Sequence, residues 1–82
     1  MKLNDIHYFI VIAEEKNISS AASRLYISQP ALSQYLQKLE RELNTSLFTR
    51  TEKGLSLTEA GRIYLNGCYH MASIAETLDF PD

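Results

Sequence analysis

The fold of this chain is decided by the stretch Ser28-Gln29-Pro30-Ala31-Leu32-Ser33-Gln34-Tyr35-Leu36-Gln37-Lys38-Leu39-Glu40. Leucines at positions 32, 36, 39 and 43 recur at alternating spacings of four and three, which is typical of one buried helix face. Ser28 is a suitable N-cap, and Pro30 fits the first turn, where its missing N–H costs nothing. The stretch therefore predicts a helix over residues 28–43 with its leucine face buried.

The opposite face of this helix carries hydroxyl, amide and cationic side chains. It consists of Pro30, Ser33, Gln34, Gln37, Lys38 and Arg41. Such groups can hydrogen-bond base edges and phosphates in the major groove of DNA. An ordinary amphipathic helix with a solvated face has the same pattern, so the pattern alone leaves both interpretations open.

The residues before this helix predict a shorter helix and a tight turn. Residues 19–25 are expected to be helical, with Ser19 as the N-cap and Ile18 packing back onto the helix. Tyr26 and Ile27 then form the turn. Two capped helices joined by a tight turn make a helix-turn-helix, in which the second helix contacts DNA.

The remaining sequence predicts a first helix, a β-hairpin and a last helix. The first helix is capped by Asn4 or Asp5 and ends near residues 16–17. Its core face consists of Ile6, Phe9, Ile10 and Ala13. Short strands around 47–50 and 55–57 are joined by a tight turn at 51–54, as in the wing of a winged helix. Thr58 caps the last helix, which runs to about Leu78 before residues 80–82 stop it.

The last helix carries two stripes of apolar or small residues, which implies two partners. One stripe consists of Gly61, Leu65, Cys68, Ala72 and Ala75, and the other of Tyr64, Gly67, Met71, Ile74 and Leu78. One stripe is expected to cover the domain's own core and the other to meet a second copy of the helix. The pattern does not tell which stripe does which, and burial within a larger intact protein explains it as well.

Length and composition predict a single small domain. A chain of 82 residues supports one modest core. Its single cysteine excludes an internal disulfide, and it has no apolar run long enough to span a membrane, so we expect a cytoplasmic protein. His7 and His70 lie near opposite ends of the chain, and Cys68 and His70 lack a second pair of ligands. We therefore expect no catalytic residues, no metal site and no cofactor, and the protein is predicted not to be an enzyme.

The net charge of −2 is unusual for a DNA-binding domain, because such domains are commonly basic. Residues 16–62, however, hold seven Lys or Arg residues and four Glu residues, a local balance of +3. The acidic residues are concentrated at the two ends. Affinity for phosphate is then expected to depend on a few placed contacts and on a second subunit.

Several short motifs, in order, resemble the N-terminal winged helix-turn-helix domain of LysR-type transcriptional regulators over residues 9–61. They are Tyr8-Phe9 with Ala13-Glu14, Ala21-Ala22 through Leu25, residues 28–33, Leu39-Glu40, Leu43, residues 47–50 and residues 57–61. The resemblance implies a mainly helical fold, with a winged helix-turn-helix at residues 1–57 and a linker or dimerisation helix at residues 58–82. This chain departs from the family at Gln34, because many members of the family have an arginine there.

The resemblance also implies a homodimer that binds double-stranded DNA at an interrupted inverted repeat and regulates transcription. Base reading is assigned to Gln29, Pro30, Ala31, Ser33, Gln34 and Gln37. Phosphate and wing contacts are assigned to Arg24, Lys38, Arg50 and Lys53, and the dimer seam to the Gly61, Leu65, Cys68, Ala72 and Ala75 stripe. The effector-binding domain of the family is expected to be absent from this chain. The alternative is a winged-helix module that binds protein instead of DNA, which the net negative charge favours.

Overall fold

The computed structural model of the protein describes residues 3–78, with the side chains of residues 4–77. In chain order the elements are α1 (Leu3–Glu15), α2 (Ile18–Leu25), α3 (Gln29–Leu43), β1 (Phe48–Thr51), β2 (Gly54–Leu57) and α4 (Glu59–Leu78). The predicted architecture, mainly helical with one antiparallel hairpin, is confirmed. The predicted stop at residues 80–82 lies outside the described residues.

Helix α1 forms the centre of the core, because α2 packs on one side of it and α4 on another. All four predicted core residues of α1 are buried, and so are Val11 and Ile12, which the periodicity did not include. The prediction that Asn4 or Asp5 caps α1 is wrong, because the helix already begins at Leu3 and both residues lie within its first turn.

The helix-turn-helix has the predicted layout with one corrected cap. Asn17, not Ser19, caps α2, and its Oδ1 accepts a hydrogen bond from the Ser20 backbone N–H at 2.9 Å. Ile18 is consequently the first helical residue and is buried in the core. Ser28 caps α3 as predicted, since its Oγ accepts from the Ala31 N–H at 3.1 Å.

The leucine face of α3 is buried over most of its length. Leu32 is fully buried and Leu36 nearly so, while Leu39 packs against the core from a half-buried position. Leu43 was expected to be buried but is 44% exposed. It is the last residue of α3, and the chain turns away at Asn44, which adopts a left-handed conformation with φ of 53°.

The hairpin is fixed to the helices by backbone hydrogen bonds. Strands β1 and β2 pair in the register Phe48 with Leu57 and Thr51 with Gly54, leaving a two-residue turn. The Leu55 N–H donates to the Lys16 carbonyl at 2.9 Å, which joins the hairpin to the end of α1. The predicted hairpin is confirmed, and its orientation is set by this non-local bond.

Helix α4 begins at the predicted cap and packs on α1. The Thr58 Oγ1 accepts from the Gly61 N–H at 3.0 Å and donates to the Ser46 carbonyl at 2.7 Å. The ring of Tyr64 lies edge-on to Phe9 with centroids 4.7 Å apart. The first half of α4 is therefore part of the core.

Candidate nucleic-acid interface

The first turns of α3 present an exposed polar face, as the sequence predicts. Gln29, Pro30, Ala31, Gln34 and Gln37 are exposed, and Ser33 is half-buried. Positions 30, 33, 34 and 37 follow helical spacing and share one side of α3. The structure thus brings most of the predicted base-reading residues together on the exposed face of one helix.

Gln29 is oriented by Ser19, a residue that the sequence predicted only as a helix cap. The Ser19 hydroxyl donates to the Gln29 Oε1 at 2.9 Å, across the turn between α2 and α3. The amide nitrogen of Gln29 remains a free donor, since no hydrogen bond from it lies within the described residues. Ser19 therefore orients a side chain of the interface and does not cap α2.

Arg50 faces the same region from the hairpin. Together with Ser33 and Gln37 it lines one groove between α3 and β1, which also contains Glu40, whose carboxylate accepts from two backbone N–H groups. Arg50 is exposed, and no ion pair of Arg50 occurs within residues 3–78. A free guanidinium beside the polar face of α3 makes this groove suitable for an anionic ligand.

Glu40 sets the position of the hairpin relative to α3. Its Oε2 accepts hydrogen bonds from the backbone N–H groups of Leu47 at 2.6 Å and Phe48 at 3.3 Å. These two donors lie at the start of β1, seven and eight residues along the chain. Local sequence patterns contain no signal for this contact, because the acceptor and its donors belong to different elements.

Tyr35 fixes α3 against α1. Its hydroxyl donates to the Asp5 carbonyl at 2.5 Å, and its ring lies edge-on to Tyr8 with centroids 5.4 Å apart. Burial raises the pKa of Tyr35 far above its ordinary value. The hydroxyl therefore stays protonated and keeps donating throughout the range in which the domain would bind a ligand.

The four predicted phosphate residues differ in availability. Lys38 and Lys53 are exposed, like Arg50, and within the described chain none of these three is in an ion pair. Arg24 instead contacts the carboxylates of Glu14 at 2.8 Å and Glu15 at 3.1 Å. Hydrogen bonds with those two carboxylates raise the pKa of Arg24.

Arg24 therefore joins α2 to the end of α1. The hydroxyl of Tyr69 on α4 also donates to Glu14 at 3.3 Å, so three helices meet at this cluster. The two carboxylates offset the positive charge of Arg24, which makes it a weaker phosphate ligand than the unpaired cations. Arg24 thus links α2 to α1, and its predicted contact with phosphate stays a prediction.

The stripe assigned to the dimer seam faces the protein's own core. Gly61 and Cys68 are buried, and Leu65 and Ala72 pack against the core from half-buried positions. A Cβ at Gly61 would lie 2.0 Å from the Leu47 carbonyl oxygen, so this face is closed by the base of the hairpin. Burial also raises the pKa of the Cys68 thiol to about 11.

A second side of α4 is open and partly apolar. We call this side the outer face, and it consists of Ile63, Gly67, Met71 and Ile74. Ile63 is 67% and Met71 45% exposed, and a Cβ at Gly67 would meet nothing within 4 Å. The open apolar surface of α4 is thus the outer face, whereas the stripe that contains Leu65 and Cys68 faces the core.

We find neither a metal site nor a membrane-spanning helix in residues 3–78. In that range no three His, Cys, Asp or Glu side chains are grouped so that they could hold a metal ion. No described helix is long and apolar enough to cross a membrane.

Comparison with known proteins identifies the family. Residues 3–62 match the model for bacterial regulatory helix-turn-helix proteins of the lysR family. Over 61 residues, 74% of this chain, the sequence is 51% identical to the uncharacterized HTH-type transcriptional regulator YkuM of Bacillus subtilis. Over 76 residues, 93% of this chain, it is 42% identical to the HTH-type transcriptional regulator ClcR of Pseudomonas putida. The chain spans 21% and 26% of the lengths of these two relatives.

Solved structures give the same assignment. In a CbnR_DBD–DNA complex, 96% of this chain superposes on 91% of the other with a TM-score of 0.87 and 34% identity. In the BenM_DBD complex with catB site 1 DNA, 95% of this chain superposes on 88% of the other with a TM-score of 0.88 and 31% identity. The hairpin is thus the wing of a winged helix-turn-helix, and the chain belongs to the lysR family of bacterial regulatory helix-turn-helix proteins.

Proposed function

We propose that this chain is the sequence-specific DNA-binding domain of a bacterial transcriptional regulator. The observation that carries the proposal is the exposed amide face of α3 with the unpaired Arg50 across one groove from it. An α-helix with an exposed polar face fits the width of the major groove. We therefore name α3 the recognition helix and expect the wing to contact the flanking backbone.

The side chains of the recognition helix favour particular bases. A glutamine amide presents one donor and one acceptor, which matches the N7 and N6 edge of adenine. Gln34 and Gln37 are exposed and suited to this contact, while Pro30 and Ala31 offer apolar surface for a thymine methyl group. Lys38, Arg50 and Lys53 supply the cations for phosphate.

A protein-binding winged helix is the less favoured function. Its support was the net negative charge, but the exposed cations Lys38, Arg50 and Lys53 lie on the recognition helix and the wing, whereas Arg24 is neutralised by two carboxylates. Solved relatives of the same fold, the CbnR and BenM domains, were crystallised with DNA. Both observations favour DNA as the ligand.

We further propose that two copies pair through the outer face of α4. Apolar side chains on one open side of a helix favour association with a second helix. A two-fold dimer places two recognition helices symmetrically, which requires an inverted repeat with two half-sites. Response to an effector, and the sense of regulation, are expected to reside in parts of the whole protein other than this domain.

Replacing Gln34 by alanine is expected to relax base preference. We expect a loss of about 1–3 kcal/mol on a site selected from random duplexes, because the bidentate contact to one base disappears. Binding to a duplex of mixed sequence should change little. Fluorescence anisotropy on both duplexes measures this, with Asn66→Ala on α4 as an amide control. Equal losses on both duplexes would exclude Gln34 from base reading.

Replacing Arg50 by alanine is expected to weaken binding to every sequence. The slope of log affinity against log salt should become shallower by about one unit, because one fewer phosphate is neutralised. Arg50→Lys keeps the cation and should keep the slope. A titration of Arg50→Ala with the wild-type slope would place Arg50 outside the interface.

A further inference from the structure

Tyr26 is an unexplained feature of the turn between α2 and α3. It is 95% exposed, the most exposed of the large hydrophobic residues in the described chain. Its hydroxyl has no hydrogen-bond partner within residues 3–78. The Tyr26 side chain therefore does not contribute to the packing of the core.

The backbone of Tyr26 makes the choice of residue more unusual. Tyr26 adopts the left-handed conformation, with φ of 59° and ψ of 37°, and ends α2. Glycine or asparagine fits this conformation with less steric conflict than an aromatic residue does. Strained positions of this kind concentrate at functional sites. An exposed aromatic side chain held in this conformation is available for a contact outside the domain.

The position of Tyr26 in the fold indicates what its side chain can contact. It lies two residues before Ser28, the cap of the recognition helix, at the opposite end of α2 from the wing. The wing is tied to Lys16, just before α2 begins. Because an eight-residue helix spans about 12 Å, Tyr26 reaches a different part of the DNA backbone from Arg50.

This edge of the domain lacks a free cation. Arg24 is the sole Lys or Arg in residues 17–31, and it is engaged by Glu14 and Glu15. Neutral hydroxyl groups, tyrosine among them, are common donors to phosphate oxygens in protein–DNA complexes. Tyr26 has the longest hydroxyl-bearing side chain in this segment and is 95% exposed.

We propose that the Tyr26 hydroxyl donates a hydrogen bond to a DNA phosphate beside the first turn of the recognition helix. The proposal rests on the proposed function. It gives the domain a neutral phosphate contact at one end of α2 and a cationic contact at the other. The recognition helix is thereby held in the groove from two sides.

The test uses a duplex of mixed sequence and two substitutions with different effects on the fold. Tyr26→Gly relieves the left-handed strain, so its melting temperature should rise, yet its affinity for the duplex should fall about threefold to tenfold. Tyr26→Phe removes only the hydroxyl and should lose the same affinity with an unchanged melting temperature. Neither substitution should change the salt slope, because a neutral donor releases no bound cation.

Tyr69→Phe on α4 is the matched control and should bind like wild type, since the Tyr69 hydroxyl already donates to Glu14 within the domain. Wild-type affinity in Tyr26→Phe would overturn the phosphate contact and leave the proposed function standing. A changed sedimentation mass in that variant would also overturn it, by placing Tyr26 between copies. Failure of the wild type to bind any duplex would overturn both proposals.

Discussion

Gly61→Ala is expected to destabilise the domain strongly, although it adds only one methyl group. The new Cβ would lie 2.0 Å from the Leu47 carbonyl oxygen, well inside contact distance. That carbonyl cannot easily move, because it accepts a hydrogen bond from the Thr58 N–H at 3.0 Å. Helix α4 must therefore shift away from the base of the wing. We expect a cost of about 3 kcal/mol, the upper range for overpacking.

A cost of that size is a large share of the stability of a small domain, and the melting temperature should fall by more than about 10 °C. Gly67→Ala is the matched control on the same helix, since its Cβ meets nothing within 4 Å. It should raise stability by about 0.5–1 kcal/mol, because alanine is the better helix former. Thermal unfolding of both variants at one protein concentration tests this prediction. Equal stability of Gly61→Ala and wild type would show that Gly61 does not lie close to the Leu47 carbonyl oxygen.

Met71→Asp is expected to give monomers and to weaken binding to a duplex with two half-sites by on the order of a hundredfold. Met71 is at the middle of the outer face and 45% exposed, so the charge disrupts pairing without entering the core. Each recognition helix must then bind independently. Affinity for a single half-site should be nearly unchanged, which separates lost pairing from damage to the interface.

Ser73→Asp adds the same charge to the same helix on a different side and should remain dimeric. Sedimentation velocity and anisotropy on both duplexes provide the measurements. A Met71→Asp protein that sediments and binds like wild type would show that pairing does not use the outer face. A charge at Leu65 is the poorer test, because Leu65 packs against the domain's own core.

Features determined by local chemistry were predictable from the sequence. Ser28 and Thr58 are caps that act on N–H groups three residues away, and both predictions are confirmed. The core face of α1 was predictable as well, because its apolar residues recur at helical spacing. The exposed polar face of the recognition helix also follows from periodicity, although its role in base reading remains a prediction.

Features determined by contacts between elements were not predictable in the same way. Asn17 and Ser19 are both good caps, and the choice of Asn17 follows from burying Ile18 in the first turn. Arg24 resembles a phosphate ligand until α1 brings two carboxylates to it. Either stripe of α4 suits a core, and packing on α1 decides which one is covered. In each case the missing information is a tertiary neighbour.

The most direct test of the central proposal is amide chemical-shift mapping of the domain titrated with a DNA duplex. We predict that the largest changes fall on residues 26–38 and on the wing at 50–53, which are separated in sequence but contribute Ser33, Gln37 and Arg50 to one groove. The outer face of α4 should respond only through pairing, at duplexes with two half-sites. Changes confined to α1 and α4, or no changes at all, would contradict the assignment of α3 and the wing as the DNA-binding surface.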